Sequence, residues 1–127
     1  MPTLTFEHVG FYISPSLLDE TVAFYESLLG WGRVSESDSS TPFVILGDGQ
    51  GGHLELVGGS GARLSGPAHL GFSVPRDEFD SRVEAIRAGG VDHDGPYLVG
   101  PGLVWINFRD PAGNNLQIVS RERPLGS

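Results

Sequence analysis

The spacing of hydrophobic residues changes several times along the chain. Residues 6–13 alternate between apolar and other side chains, which predicts a strand with one apolar face. Apolar residues then recur at helical spacing from Asp19 to Leu29, and again from Asp77 to Ala88. Short β-branched and aromatic runs at 43–46 and 103–108 predict strands, and each is followed by turn residues and a final strand. Each half of the chain therefore has the order strand, helix, strands.

The two halves also resemble each other in sequence. Residues 7–13 match residues 68–74, and residues 48–57 match residues 110–119, in the same order and at nearly constant spacing. This pattern predicts an α+β fold of two βαβββ modules, which form a curved mixed sheet around a cup. We expect one domain over 1–127, with modules at about 4–58 and 67–120 and a flexible glycine-rich linker at about 59–66. Residues 31–42 are compatible with either another strand or a loop.

Four polar side chains share one face of the predicted sheet. Because neighbouring strand residues point to opposite faces, the apolar residues around His8, Glu55, His69 and Gln117 lie on the other face. Two histidines and a carboxylate are a frequent ligand set for a divalent ion. A single buried histidine is more often a hydrogen-bonded core residue, but two at matched repeat positions favour metal binding. His53 has the same parity, and we expect it at the rim rather than on the metal.

Composition narrows the possible partners. The 127 residues carry 16 acidic and 8 basic side chains, a formal charge of −8, which would repel nucleic acid and anionic membranes. No apolar stretch is long enough for a membrane span. The amino terminus lacks the basic and apolar regions of a secretory signal, and there is no cysteine, so we expect a cytoplasmic protein.

The motifs together resemble a known superfamily over about residues 4–120. The residues that carry the resemblance are His8, Phe24-Tyr25 with Leu29-Gly30-Trp31, His69, and the run from Phe108 to Asn114. They are similar to those of the vicinal oxygen chelate superfamily, which includes glyoxalase I, fosfomycin-resistance proteins, extradiol dioxygenases, methylmalonyl-CoA epimerase and bleomycin-resistance proteins.

This resemblance implies a homodimer and one divalent metal ion, which would be Zn, Ni, Mn, Fe or Co. The family draws its ligands from the first, fourth, fifth and eighth strands, which here carry His8, Glu55, His69 and Gln117. The eighth-strand ligand is usually glutamate, so Gln117 is a departure. Since the halves are equivalent, Glu55 can supply the carboxylate from the other half.

The expected lining of the cup comes from the same parity. Phe43, Trp105, Asn107 and Arg109 lie opposite the apolar positions of their strands, and Tyr97 lies in a Gly-Pro-rich loop that is able to close over the opening. An aromatic wall beside a cation suits a small organic anion or an aromatic substrate. Packing at the core or rim is the alternative role for these side chains.

The superfamily resemblance, together with these site residues, implies a metal-dependent, glyoxalase-like isomerase or lyase that acts on a small substrate with vicinal oxygens. The resemblance to glyoxalase I implies that Glu55 is both a metal ligand and the catalytic base. Two alternatives remain at this stage. One is an extradiol-type dioxygenase, and the other is a metal-free binding protein of the bleomycin-resistance type.

Overall fold

The computed structural model describes residues 3–61, 63–100, 102–123 and 125–126. The chain divides into two compact units, residues 1–63 and residues 64–127. In each unit, the described residues form a strand, a helix and three further strands in that order. The α+β class and the two βαβββ modules are therefore confirmed. In the described residues, the strands form two four-stranded mixed sheets, one in each unit.

The first unit places its first strand beside its last. Its elements are β1 (Val9–Ile13), a 3-10 turn (Pro15–Leu17), α1 (Leu18–Leu29), β2 (Gly32–Ser37), β3 (Phe43–Gly47) and β4 (His53–Gly58). The sheet order is β1-β4-β3-β2, in which β1 is parallel to β4 and the other pairs are antiparallel. The segment at 31–42, which the sequence left open between strand and loop, thus contains β2.

The second unit repeats this arrangement. Its elements are β5 (Leu70–Ser73), α2 (Arg76–Ala88), β6 (His93–Leu98), β7 (Leu103–Arg109) and β8 (Asn115–Arg121). The sheet order is β5-β8-β7-β6, with β5 parallel to β8. The chain's division into units falls within the stretch that the sequence predicts as a linker.

Each helix packs its apolar stripe on its own sheet. In the first unit, Val22 and Tyr25 of α1 are buried, as are Leu54 and Leu56 of β4, while Glu55 between them is only half-buried. Strand alternation therefore separates the apolar face beneath the helix from a polar face. Gly30 ends α1 with a positive φ of 71°, a conformation that glycine adopts without steric cost.

The second unit has the same division between faces. Phe79 and Ile86 of α2 are buried with Leu116 and Ile118 of β8, and Gln117 between those two is half-buried. Burial of a side chain such as Phe79 contributes roughly 2–3 kcal/mol. The predicted assignment of residues to the apolar and polar faces of β4 and β8 is therefore correct.

The two turns that precede the last strands are built alike. Asp48 Oδ1 accepts hydrogen bonds from the amides of Gln50 and Gly52, at 2.7 and 2.9 Å. Asp110 Oδ1 accepts the corresponding bonds from Ala112 and Asn114, both at 2.9 Å. A carboxylate that accepts amides two and four residues later stabilises a tight turn.

The predicted loop around Tyr97 is wrong. Tyr97 lies in β6, where it is paired with Trp105 of β7. The register shifts between Asp94 and Tyr97, at the Gly95-Pro96 dipeptide. Glycine and proline are typical loop residues, and here they occupy an irregularity inside a strand.

The start of the glycine-rich segment after β4 packs against β1, in contrast to the predicted flexible linker. A Cβ atom added to Gly59 would lie 2.7 Å from the Tyr12 ring, and one added to Gly61 would lie 2.6 Å from it. The Gly59 amide also donates to the carbonyl of Ile13 at 2.9 Å. The glycines here allow a close approach to an aromatic ring.

No helix among the described residues combines the length and apolar character that a membrane crossing requires.

Candidate functional site

The first unit brings His8 and Glu55 together around Gly10. Gly10 pairs with Glu55 across the parallel β1-β4 ladder. A Cβ placed on Gly10 would lie 3.5 Å from Glu55 Cβ and 3.9 Å from His8 Cδ2. Strand β1 begins one residue after His8, so the histidine is at the strand entrance rather than inside the strand as predicted, and 45% of its side chain is exposed.

The second unit repeats this pair with His69 and Gln117. Gly71 pairs with Gln117 across the β5-β8 ladder, and a Cβ on Gly71 would lie 3.9 Å from Gln117 Oε1. His69 precedes β5 directly, so it too lies just outside the observed strand rather than inside it as predicted. Both side chains line one cavity of about 280 Å³ in this unit. Each unit thus combines a histidine and an oxygen-bearing side chain beside a glycine.

Hydrogen bonds select which nitrogen of each histidine is able to bind a metal. His69 Nδ1 lies 2.9 Å from the carbonyl oxygen of Pro67, and His8 Nδ1 lies 3.0 Å from Glu7 Oε1. Because both partners are acceptors, each Nδ1 is the donating nitrogen, and in the neutral ring Nε2 is then the nitrogen with the lone pair. Metal-binding histidines in proteins are usually oriented in this way.

His53 lies in β4 and is half-buried. Its Nδ1 donates to the carbonyl oxygen of Glu7 at 3.1 Å, which ties β4 to the residue before His8. A rim or supporting role remains the prediction for this residue.

A chain of polar side chains runs from Gln117 across the sheet of the second unit. Gln117 Nε2 donates to Asn107 Oδ1 at 3.3 Å, and Asn107 Nδ2 donates to Asp94 Oδ2 at 3.3 Å. The hydroxyl of Tyr97 donates to the other Asp94 oxygen. Asp94 is not among the predicted site residues, because the local pattern around it does not indicate the strand β6. Its register opposite Asn107 is the signal that would have identified it.

These bonds shift the acidity of two groups in opposite directions. The hydrogen bond from Tyr97, together with that from Asn107, holds the pKa of Asp94 below its usual value. The same bond to Asp94 raises the pKa of Tyr97. Accepting hydrogen bonds stabilises a carboxylate, and donating one stabilises the protonated phenol. Asp94 is therefore an ionised acceptor at neutral pH.

The remaining predicted lining residues lie on both sheets. Trp105 is half-buried with its ring centroid 5.6 Å from that of Tyr97, while Arg109 pairs with Asp92 at 3.3 Å and lines the cavity with Asn107. Phe43 is half-buried on β3 in the first unit. Four of the five predicted lining residues are thus on β6 and β7.

The described residues include no group of three His, Cys, Asp or Glu side chains arranged to hold a metal ion. Each unit contains one histidine and one oxygen-bearing side chain of the predicted set.

Comparison with protein families gives one match that covers most of the chain. The model of the Glyoxalase/Bleomycin resistance protein/Dioxygenase superfamily matches residues 5–118. A comparison with curated proteins found no match.

Solved structures share the fold at low sequence identity. The fosfomycin resistance protein FosX from Listeria monocytogenes is 18% identical with a TM-score of 0.80, covering 98% of this chain and 94% of that one. FosX from Mesorhizobium loti is 18% identical with a TM-score of 0.79, covering 98% and 95%. A mutant of the Listeria protein, complexed with Mn(II) and 1S,2S-dihydroxypropylphosphonic acid, is 17% identical with a TM-score of 0.81, covering 98% and 96%.

Proposed function

The chain belongs to the Glyoxalase/Bleomycin resistance protein/Dioxygenase superfamily, and on this basis we propose that it is a metal-dependent enzyme. Its proposed reaction is a glyoxalase-like isomerisation or lyase reaction on a small substrate with vicinal oxygens. The main support is the repeated pair of a histidine and an oxygen donor, His8 with Glu55 and His69 with Gln117, each beside a glycine.

The proposed ligand set for one divalent ion consists of both pairs, with the two units supplied either by one chain or by two chains of a dimer. The donors fit such an ion, since the hydrogen bonds at Nδ1 leave Nε2 of His8 and His69 available. Glu55 gives the set a charge of −1, and Gln117 adds a neutral oxygen. Mn(II) is the first metal to test, because the FosX structure was solved with it; Zn, Ni, Fe and Co are the others.

A divalent ion held by these residues would supply Lewis-acid polarisation of a substrate oxygen, which would make the adjacent C–H group more acidic. Glu55 accepts the proton, because it is the one carboxylate in the ligand set and is half-buried. Substrate contacts are assigned to Phe43, Tyr97, Trp105, Asn107 and Arg109. The guanidinium of Arg109 is assigned to pair with an anionic substituent of the substrate. The molecule bound in the FosX structure carries such a group, a phosphonate.

The test begins with the protein purified without chelators. Elemental analysis and titration with the five metals measure whether one equivalent binds. Small α-hydroxy carbonyl compounds, vicinal diols and catechols are then screened as substrates in the presence of each metal that binds. Isomerisation or elimination without oxygen consumption supports the proposal. Fe(II)-dependent oxygen consumption with a catechol would indicate the dioxygenase alternative, and ligand binding with no metal would indicate the bleomycin-resistance type.

We also propose a homodimer, as the family resemblance implies and as is common for soluble oligomers. Light scattering at micromolar concentration should give twice the chain mass of 13.6 kDa. A mass of one chain would contradict this assembly.

A further inference from the structure

We propose that Asp94 is a positioning residue that orients the side-chain amide of Gln117, so that the amide presents its oxygen rather than its nitrogen to the metal. The role of that oxygen as a ligand rests on the proposed function. The orientation itself is a property of the chain without metal, and it is testable separately.

The direction of each hydrogen bond follows from Asp94. An ionised carboxylate only accepts hydrogen bonds, so the Asn107 group that faces Asp94 has to be the NH2 group. Asn107 Oδ1 then faces Gln117 and accepts from Nε2. Tyr97 donates to the second Asp94 oxygen and holds the carboxylate in place. The orientation is thus passed through two amides to Gln117.

The remaining atom of the amide lies on the side of the histidine. Gln117 Nε2 is directed to β7, whereas Oε1 lies 3.9 Å from the position of a Cβ on Gly71 in β5. Gly71 is two residues after His69, and His69 and Gln117 line the same cavity. Reversal of the amide would place NH2, which has no lone pair to donate to a metal, on that side.

The first unit offers an internal comparison. Glu55, the counterpart of Gln117, pairs across the sheet with Ile45, and Ile45 pairs with Ser35. The positions that hold Asn107 and Asp94 in the second unit are therefore occupied by Ile45 and Ser35 in the first. A carboxylate presents an oxygen in either orientation and needs no such support, whereas an amide does. The hydrogen-bonded chain from Asp94 through Asn107 to Gln117, which we call the relay, thus occurs in the unit that has the amide.

The first experiment uses the protein without metal. The side-chain NH2 resonances of Gln117 and Asn107 are followed by 15N-correlated NMR in the wild type and in Asp94→Asn, which preserves shape but is able to donate as well as accept. Both pairs of resonances should shift and exchange faster with water in Asp94→Asn. The control is Asp92→Asn, which removes a nearby carboxylate paired with Arg109. Unchanged Gln117 resonances in Asp94→Asn would overturn the relay.

The second experiment is a double-mutant cycle on Mn(II) affinity, measured by calorimetry. With Gln117 in place, Asp94→Asn should weaken binding about three- to tenfold, the equivalent of one hydrogen bond. In the Gln117→Glu background, the Asn107 oxygen has to turn away from the new carboxylate and towards Asp94. Asp94→Asn should then leave affinity unchanged or improve it.

This cycle separates orientation from simple charge. If Asp94 acted only through its negative charge, Asp94→Asn would weaken Mn(II) binding in both backgrounds. An equal loss of affinity with Gln117 and with Gln117→Glu would therefore overturn the proposal. Asn107→Ile, which copies the pattern around Glu55, should weaken binding with Gln117 and be tolerated with Gln117→Glu. If the wild type binds no metal, the proposed function fails, and the NMR experiment still decides whether Asp94 orients the amide.

Discussion

His53 and Asn115 occupy equivalent positions at the start of β4 and β8 and make the same kind of contact. His53 Nδ1 donates to the carbonyl of Glu7 at 3.1 Å, and Asn115 Nδ2 donates to the carbonyl of Gly66 at 3.0 Å. Each bond ties the last strand of its unit to the segment that leads to the histidine of the proposed site. A ring nitrogen and an amide nitrogen thus serve the same purpose.

This equivalence predicts the effect of exchanging the two donors. His53→Asn should retain the bond to Glu7, because the amide nitrogen occupies nearly the position of Nδ1. His53→Leu removes the donor and should lower the free energy of unfolding by about 1 kcal/mol in urea denaturation. The same pair of changes at Asn115, to His and to Leu, should behave alike. Equal destabilisation by the Asn and Leu variants of His53 would show that the donor does not matter.

The proposed ligands predict the metal content of histidine variants. His8→Ala and His69→Ala should each lower occupancy at least tenfold, since each removes a ligand atom. His93→Ala is the matched control, because His93 is a half-buried histidine whose Nδ1 bonds to the Val91 carbonyl at 2.8 Å and which is not in the proposed set. Elemental analysis of the three purified variants measures the effect. Full occupancy in both ligand variants would contradict the site.

The proposed base predicts a separation of binding from turnover. Glu55→Gln keeps the shape and an oxygen donor but removes the charge and the basicity. Once the screen has identified a substrate, this variant should lose at least a hundredfold in kcat at saturating metal. Turnover close to that of the wild type would exclude Glu55 as the base. If the protein is instead a metal-free binder, ligand affinity should change only a few fold.

The turn at Asp48 predicts a pH dependence of stability. The amide of Gln50 donates to this carboxylate, with Gly52 also contributing, and lowers its pKa in the folded protein. A depressed pKa stabilises the fold above the unfolded value of about 4, and this contribution is lost as the pH falls through the folded value. Asp48→Asn should therefore differ most from the wild type near pH 7, and the difference should shrink as the pH falls below about 4.

Urea denaturation across this pH range measures the difference. Asp38→Asn, which changes an exposed carboxylate elsewhere in the same unit, is the control. A constant difference between Asp48→Asn and the wild type at every pH would exclude the charged turn as its source.

Much of the fold follows from local pattern. The repeated blocks, the helical spacing of Val22 and Tyr25, and the alternation around Glu55 and Gln117 each arise from neighbouring residues. Periodicity is a property of the chain itself, so these elements and their faces were predictable. The observed helices begin within one residue of the predicted ranges and end where those ranges end.

Other features depend on contacts between distant residues. Strand β6 contains Gly95-Pro96 and has weak local strand signals, and it is a strand because β7 supplies hydrogen-bond partners. This pairing places Asp94 beside Asn107, and the residues adjacent to Asp94 in the sequence do not predict that contact. The hydrogen bonds at His8 and His69, by contrast, are made with the nearby residues Glu7 and Pro67, and they depend on the backbone conformation of the segments before each strand.

The two modules, the polar side of each sheet, and the histidine and oxygen donor in each module can all be derived from alternation and repetition along the chain. The hydrogen bonds of His8 and His69 and the orientation of the Gln117 amide required the folded structure. The amide orientation depends on partners that folding brings from other strands, and the histidine bonds depend on the backbone conformation just before each strand, which periodicity does not specify.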